Sequence, residues 1–197
     1  LELKKERKMD MVKIEKGMEM IIEALGKNVD RKKLKDTPKR VAKMYEEIFS
    51  GVDVDPKKVL GKVFKEEFNE LVLVKDINFY SICEHHFLPF FGKAHVAYLP
   101  DGNNVVGISK IARLVDVLSK RPQLQERMTN QIVDIIMDVL TPQGAMAIIE
   151  AEHMCMIMRG IKKPGTKIVT SAMRGIFLRD LRTRTEALNL ISSSIRF

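Results

Sequence analysis

The run Ala145-Met146-Ala147-Ile148-Ile149-Glu150-Ala151-Glu152-His153-Met154-Cys155-Met156-Ile157-Met158 alternates with a period of two. Its odd positions are Ala145, Ala147, Ile149, Ala151, His153, Cys155 and Ile157. Strand side chains at i and i+2 share a face. A strand is therefore expected through the whole run, with His153 and Cys155 projecting to the same side. Working outward, Gly160 to Thr166 reads as a loop, 167–178 as a last strand and 183–191 as a short final helix. Upstream, Pro122 opens a helix running to about 140, with Leu124, Met128, Ile132, Ile135, Ile136 and Val139 along one stripe. Another helix is expected over 109–120, on Ile111, Leu114, Val115 and Leu118. Before it lie a strand at about 93–99, a turn at Pro100-Asp101-Gly102-Asn103, and a strand-like stretch at 70–82.

The order after residue 60 is thus β-β-α-α-β-β, an α+β chain. The N-terminal part is helical instead. Met11, Ile14, Met18, Ile21, Ile22 and Leu25 form one stripe ended by Gly26. Thr37 suits an N-cap and Pro38 a first turn, followed by the apolar face of Val41, Met44, Tyr45, Ile48 and Phe49. Residues 50–61 are a turn-rich joint. They divide a helical region, 1–60, from a second domain, 61–197.

The chain has 197 residues, ordinary apolar content (45%) and a formal net charge of +8. It contains no long apolar run, so no membrane helix is expected. The charged start at Lys4, Lys5, Glu6, Arg7 and Lys8 argues against a secretory signal and for a reducing cytoplasm. A basic surplus suits a polyanion, whether nucleic acid, nucleotide or membrane surface. There is no Trp and few Tyr, so no aromatic platform for stacking single-stranded bases is visible.

Both cysteines and three of the four histidines fall in two short segments, Cys83-Glu84-His85-His86 and His153-Met154-Cys155. Cys83, His86 and Cys155 offer two thiolates and an imidazole. That set suits zinc better than magnesium or calcium, with a position left open for water. His85 and His153 remain beside it as material for proton transfer. Two ordinary buried thiols, or a disulfide, are the plainer alternatives. The concentration of nearly all Cys and His in two segments favours the metal.

Ser109, Lys110 and Arg113 stand at the start of a helix, where free N–H groups and cations make an anion site. Arg40 and Lys43, three apart near the start of an earlier helix, repeat the pattern, and Arg159 follows the metal strand. Each alone is a solvated charge; together they favour a phosphate-bearing ligand. Glu126, early in a helix, suits the helix dipole as it stands. It would equally accept two N–H donors from a guanine edge.

Taken together, Cys83-Glu84-His85-His86-Phe87, Gly107-Ile108-Ser109-Lys110-Ile111, Arg121-Pro122-Gln123 through Gln125-Glu126-Arg127, and His153-Met154-Cys155 through Met158-Arg159-Gly160 resemble the GTP cyclohydrolase I family. The resemblance covers roughly residues 36–190 in the same order. It implies the tunnelling fold, a β-β-α-α-β-β unit, assembled as a homodecamer with active sites between subunits. It implies conversion of GTP and water to formate and 7,8-dihydroneopterin triphosphate, the entry to folate and other pterins. Carried over, Cys83, His86 and Cys155 are the zinc ligands, and His85 and His153 the general acid/base pair. Glu126 is the guanine anchor. Ser109, Lys110, Arg113 and Arg159 become triphosphate or ribose contacts, with Arg40 and Lys43 as further phosphate ligands. The resemblance gives no role to nucleic acid or membrane. Ala187 departs from the larger apolar residue that many members carry, a matter of packing. A basic nucleic-acid module with a structural zinc would explain the charge but leaves a fourth ligand unassigned. A nucleobase deaminase would need His-x-Glu and Pro-Cys-x-x-Cys elements, which are absent.

Overall fold

A computed structural model describes residues 9–61, 63–102 and 104–193. The charged run at 4–8 and Asn103 of the expected turn lie outside them. The chain begins with two helices, α1 (Met11–Ala24) and α2 (Thr37–Ile48). Asp10 caps α1 by accepting from the Lys13 N–H at 3.0 Å. Asp36, not Thr37, is the N-cap of α2, and Pro38 sits inside the first turn. The joint that follows holds one more short helix, α3 (Pro56–Leu60), with Leu60 wholly buried.

Next come β1 (Phe64–Lys65), β2 (Val72–Cys83), β3 (Pro89–Leu99) and β4 (Asn104–Val105). The two helices α4 (Ile108–Ser119) and α5 (Gln125–Leu140) are separated by β5 (Pro122–Gln123). The chain closes with β6 (Gly144–His153), α6 (Met154–Ile157), β7 (Ile168–Gly175), α7 (Ile176–Arg179) and α8 (Leu181–Ser192). β2, β3, β6 and β7 form an antiparallel sheet in that order, and β5 adds a parallel edge to β2. β1 and β4, which the sequence did not announce, pair as a separate antiparallel ribbon.

The odd residues of β6 explain the sheet's inner face. Ala145, Ala147, Ile149 and Ala151 point into one core with Ile111, Leu114 and Leu118 of α4 and Met128, Ile132 and Ile136 of α5. Small side chains on the central strand let the two helices lie close. Met146 and Ile148 face the other way, against Phe177 and Ala187, so only one end of the outer face is covered. The remainder of that face carries Tyr80, stacked on Phe91 at 5.9 Å, and stays open.

Two expectations are corrected here. Pro122 does not open α5. It joins the parallel bridge in which Ile82 pairs with Pro122 and Cys83 with Gln123, and the helix begins at Gln125. A proline spends no N–H at such an edge. The last strand likewise stops at Gly175 rather than 178, because Gly175 turns at φ +64° into α7. A Cβ there would lie 2.1 Å from the Gln143 carbonyl oxygen.

The joint is stitched to α4. Gly51 donates to the Lys120 carbonyl at 2.9 Å, and Arg121 returns a guanidinium to the Gly51 carbonyl at 2.6 Å. Among the described residues no helix is long and apolar enough to cross a membrane.

Candidate active site

The candidate metal residues meet at one end of the sheet, where β2 and β6 finish. β2 ends at Cys83 and β3 begins at Pro89, so Glu84 to Leu88 form the hairpin loop. The Cys83 N–H donates to the Leu88 carbonyl at 2.9 Å, and the Phe87 N–H to the Cys83 carbonyl at 2.8 Å. Phe87 takes a left-handed conformation (φ +54°) without being glycine. Its ring packs on Phe49 and Tyr45 of the α2 end, at centroid distances of 5.7 and 6.5 Å, which holds the turn. Cys83 is buried, whereas His85 and His86 stand exposed.

Cys155 does not reach the site by alternation. β6 ends at His153, and Met154–Ile157 make a single helical turn. That turn swings the thiol of Cys155 toward the hairpin. The sulfurs of Cys83 and Cys155 and a ring nitrogen of His86 then lie within 4.8 Å of one another. Both cysteines are free thiols. Burial pushes the Cys155 thiol up, and the neighbouring Cys83 adds to this. A tetrahedral zinc with two sulfurs and a nitrogen separates its ligand atoms by about 3.5–3.8 Å. The donor set fits such an ion after small side-chain rotations, with one position free.

His153 sits beside this group. Its ring stacks on Phe90 at 4.6 Å and 9°, and Nε2 lies 2.7 Å from Oε1 of Gln125. Burial lowers its pKa, while the Glu126 charge opposes that. Glu126 is exposed in the first turn of α5. Arg159 places Nη1 3.2 Å from Nε2 of His86. One end of the sheet therefore gathers Cys83, His85, His86, Glu126, His153, Cys155 and Arg159.

The other cations are elsewhere. Lys110 and Arg113 line a cleft with Lys58 and Lys120, between α3 and α4, to which no metal-group residue contributes. Ser109 is exposed in the first turn of α4 and makes no capping bond. Arg40 pairs with Asp36 at 3.9 Å on α2, and Lys43 is exposed beside it. Within one chain the Lys110–Arg113 cleft does not join the metal end.

Two contributors have no assigned role in the sequence reading. Gln125 is buried under His153, and Arg127 grips Glu84 with both guanidinium nitrogens, Nη2 to Oε1 at 2.8 Å. Both lie within motif stretches, but a motif names residues and not their partners.

The family model of GTP cyclohydrolase I matches residues 14–192. The chain belongs to the GTP cyclohydrolase I family. A GTP cyclohydrolase 1 of Carboxydothermus hydrogenoformans is 60% identical over 92% of this chain and 95% of its own length. One of Clostridioides difficile is 58% identical over 94% of this chain and 98% of its own. A solved structure of the archaeosine synthase QueF-Like in the apo form overlaps 53% of this chain and 93% of its own, at 19% identity and a TM-score of 0.44. That overlap is too loose to bear on the site. For this family member the metal end, with its two unspent histidines, is the candidate catalytic centre.

Proposed function

We propose that the chain hydrolyses GTP to formate and 7,8-dihydroneopterin triphosphate, the first step toward folate and related pterins, in the cytoplasm. The observation that carries this reading is the convergence of Cys83, His86 and Cys155 within 4.8 Å beside His153, in a member of this family. The reading includes the tunnelling fold, with 61–197 as the catalytic domain and the helical region 1–60 as its N-terminal addition.

Zinc is the metal that this donor set suits, and when bound it makes water nucleophilic near neutral pH. Cys83, His86 and Cys155 would hold it. His85, exposed on the same hairpin, protonates N7 of the purine as C8 is attacked. His153 moves protons in the later steps, ring opening and rearrangement of the ribose. Glu126 accepts the guanine N–H donors. Arg159, Ser109, Lys110 and Arg113, with Arg40 and Lys43, bind a triphosphate that never reacts, so their contribution is positioning. The Lys110–Arg113 cleft shares no lining residue with the metal end of one chain, which supports a site shared between subunits; that the assembly is a homodecamer is what the family resemblance implies.

One incubation tests the reaction. Zinc-loaded protein with GTP should release formate and the pterin in equal amounts, the pterin read by fluorescence after oxidation. Formate alone would mean a purine hydrolase that opens the ring and hydrolyses the resulting formamide but stops before the ribose rearranges. Neither product would overturn the proposal. Among variants, Cys155→Ala should lose zinc and turnover together. His85→Ala should keep zinc and lose turnover by about 10²-fold or more. Glu126→Ala should chiefly weaken GTP binding.

A further inference from the structure

Gln125 opens α5 and is 1% exposed. Its amide nitrogen lies 3.0 Å from the Ile149 carbonyl, 3.0 Å from the Ile168 carbonyl and 3.1 Å from Thr170 Oγ1. Backbone carbonyls only accept, so this end of the amide must be the NH2 group and the other end the carbonyl oxygen. The hydroxyls agree. Thr129 Oγ1 donates to the backbone carbonyl of Gln125 at 2.7 Å. Thr170 Oγ1, 2.7 Å from Thr129 Oγ1, then donates to it and keeps its lone pairs for the Gln125 amide.

The polarity passes on to His153. Gln125 Oε1 can only accept, and it is 2.7 Å from His153 Nε2. That nitrogen therefore carries hydrogen, and in the neutral ring Nδ1 holds the lone pair. The Phe90 ring, parallel to the imidazole, fixes its plane. Two strand carbonyls and two threonines thus orient one proton on a histidine at the metal end.

We propose that Gln125 is a positioning residue that locks His153 in the Nε2–H tautomer, so that Nδ1 alone exchanges protons with the substrate. This rests on the acid/base role of His153 in the functional proposal above. Gln125→Met fills the same space with no polar atom. In the zinc-loaded enzyme it should lower kcat by about 10²-fold, leave KM within about twofold and keep the metal. Gln125→Glu keeps, in either protonation state, an oxygen that accepts from His153 Nε2. It should stay within about tenfold of the parent kcat. Thr170→Val loosens the same network without touching His153 and should lose less than Gln125→Met.

Equal losses in the Met and Glu variants would overturn the proposal, as would a Met variant as active as the parent. The 15N spectrum of histidine-labelled parent, at mildly alkaline pH, gives a test independent of turnover. The His153 resonances should show a protonated Nε2 and a bare Nδ1, and the Met variant should show both tautomers. A bare Nε2 in the parent would sink the idea. A parent that makes no formate from GTP would instead overturn the functional reading, and the spectrum would still judge the tautomer.

Discussion

Glu84 stands between the candidate metal ligand Cys83 and the proposed acid His85, and Arg127 in the first turn of α5 holds it from the side. Two parallel N–H···O bonds fix direction as well as distance. Arg127 keeps the Glu84 carboxyl below the usual carboxylate range. Both side chains are partly exposed, at 43% and 29%, so the pair adds little to global stability. Its effect is local: it fastens the hairpin that carries Cys83, His85 and His86. Arg127→Met should therefore move the unfolding free energy by no more than about 1 kcal/mol. It should weaken zinc retention by about tenfold against a competing chelator. A variant that melts normally and holds zinc like the parent would mean the hairpin needs no such fastening. The residues of this pair were visible in the sequence, and their partnership was not. They are 43 positions apart, and nothing local to either announces the other. The candidate ligands, Cys83, His86 and Cys155, were legible as a group for the opposite reason: Cys and His are rare in this chain and are crowded together.

At the scale of elements, sequence periodicity held where packing enforced it and failed where the backbone turned without a marker. The alternation of 145–151 is real because its odd residues face the main core, while Met146 and Ile148 meet a second cluster and Glu150 the open face. Beyond His153 the sequence continues to alternate in parity, but Met154, Cys155, Met156 and Ile157 are as compatible with a helical turn as with a strand. The bulge in β2 was equally silent. Register slips between Val74 and Ile77, and Asp76 takes φ +58°. Its N–H donates to His95 Nδ1 at 3.2 Å, and its carboxylate meets Lys93 at 2.9 Å. Lys75 is thereby turned toward α8, where its ammonium donates to the Leu190 and Ser193 carbonyls at 3.1 and 2.6 Å. Cations are favoured at such a helix end. Lys75→Met should cost about 1–2 kcal/mol and speed amide exchange in 181–193 before elsewhere.

His95 adds a pH dependence to the same bulge. Burial lowers its pKa, and Lys93 and Lys75 act with it, against Asp76 and Glu150. The unfolded chain then binds the proton more readily than the folded one. The contribution is complete above the unfolded value, about 6.5, and falls away as pH drops through the lower folded value. Melting temperature should decline from neutral to mildly acid pH. His95→Asn, whose Oδ1 can accept from Asp76 without titrating, should flatten that slope. An unchanged slope would place the acid sensitivity in other groups.

Over the whole molecule, the proposed function includes a site that one chain does not complete, and the placement of charge is what supports it. The surplus of +8 is not spread at random, since Lys58, Lys110, Arg113 and Lys120 share one cleft. Ser119, at the far end of α4 from Ser109, accepts from Ser81 of β2 at 2.7 Å, close to Cys83. At 1.5 Å per residue, Ser109 and Lys110 lie about 15 Å along the helix from that contact. In the proposed function, a nucleotide whose base reacts at the metal end meets Arg159 there and finds Ser109, Lys110 and Arg113 on another copy. No pattern in a single sequence records a neighbour's position, which is why the assembly could be inferred only through family resemblance. Mixing tests it directly. His85→Ala and Lys110→Ala should each be nearly inactive alone. Dissociated, mixed in equal amounts and reassembled, they should regain about a quarter of parental activity, since in a random symmetric ring one interface in four pairs an intact His85 with an intact Lys110. If both residues served one site within one chain, every subunit would carry one lesion and the mixture would stay inactive. A silent mixture with verified reassembly would therefore return the whole site to the single chain.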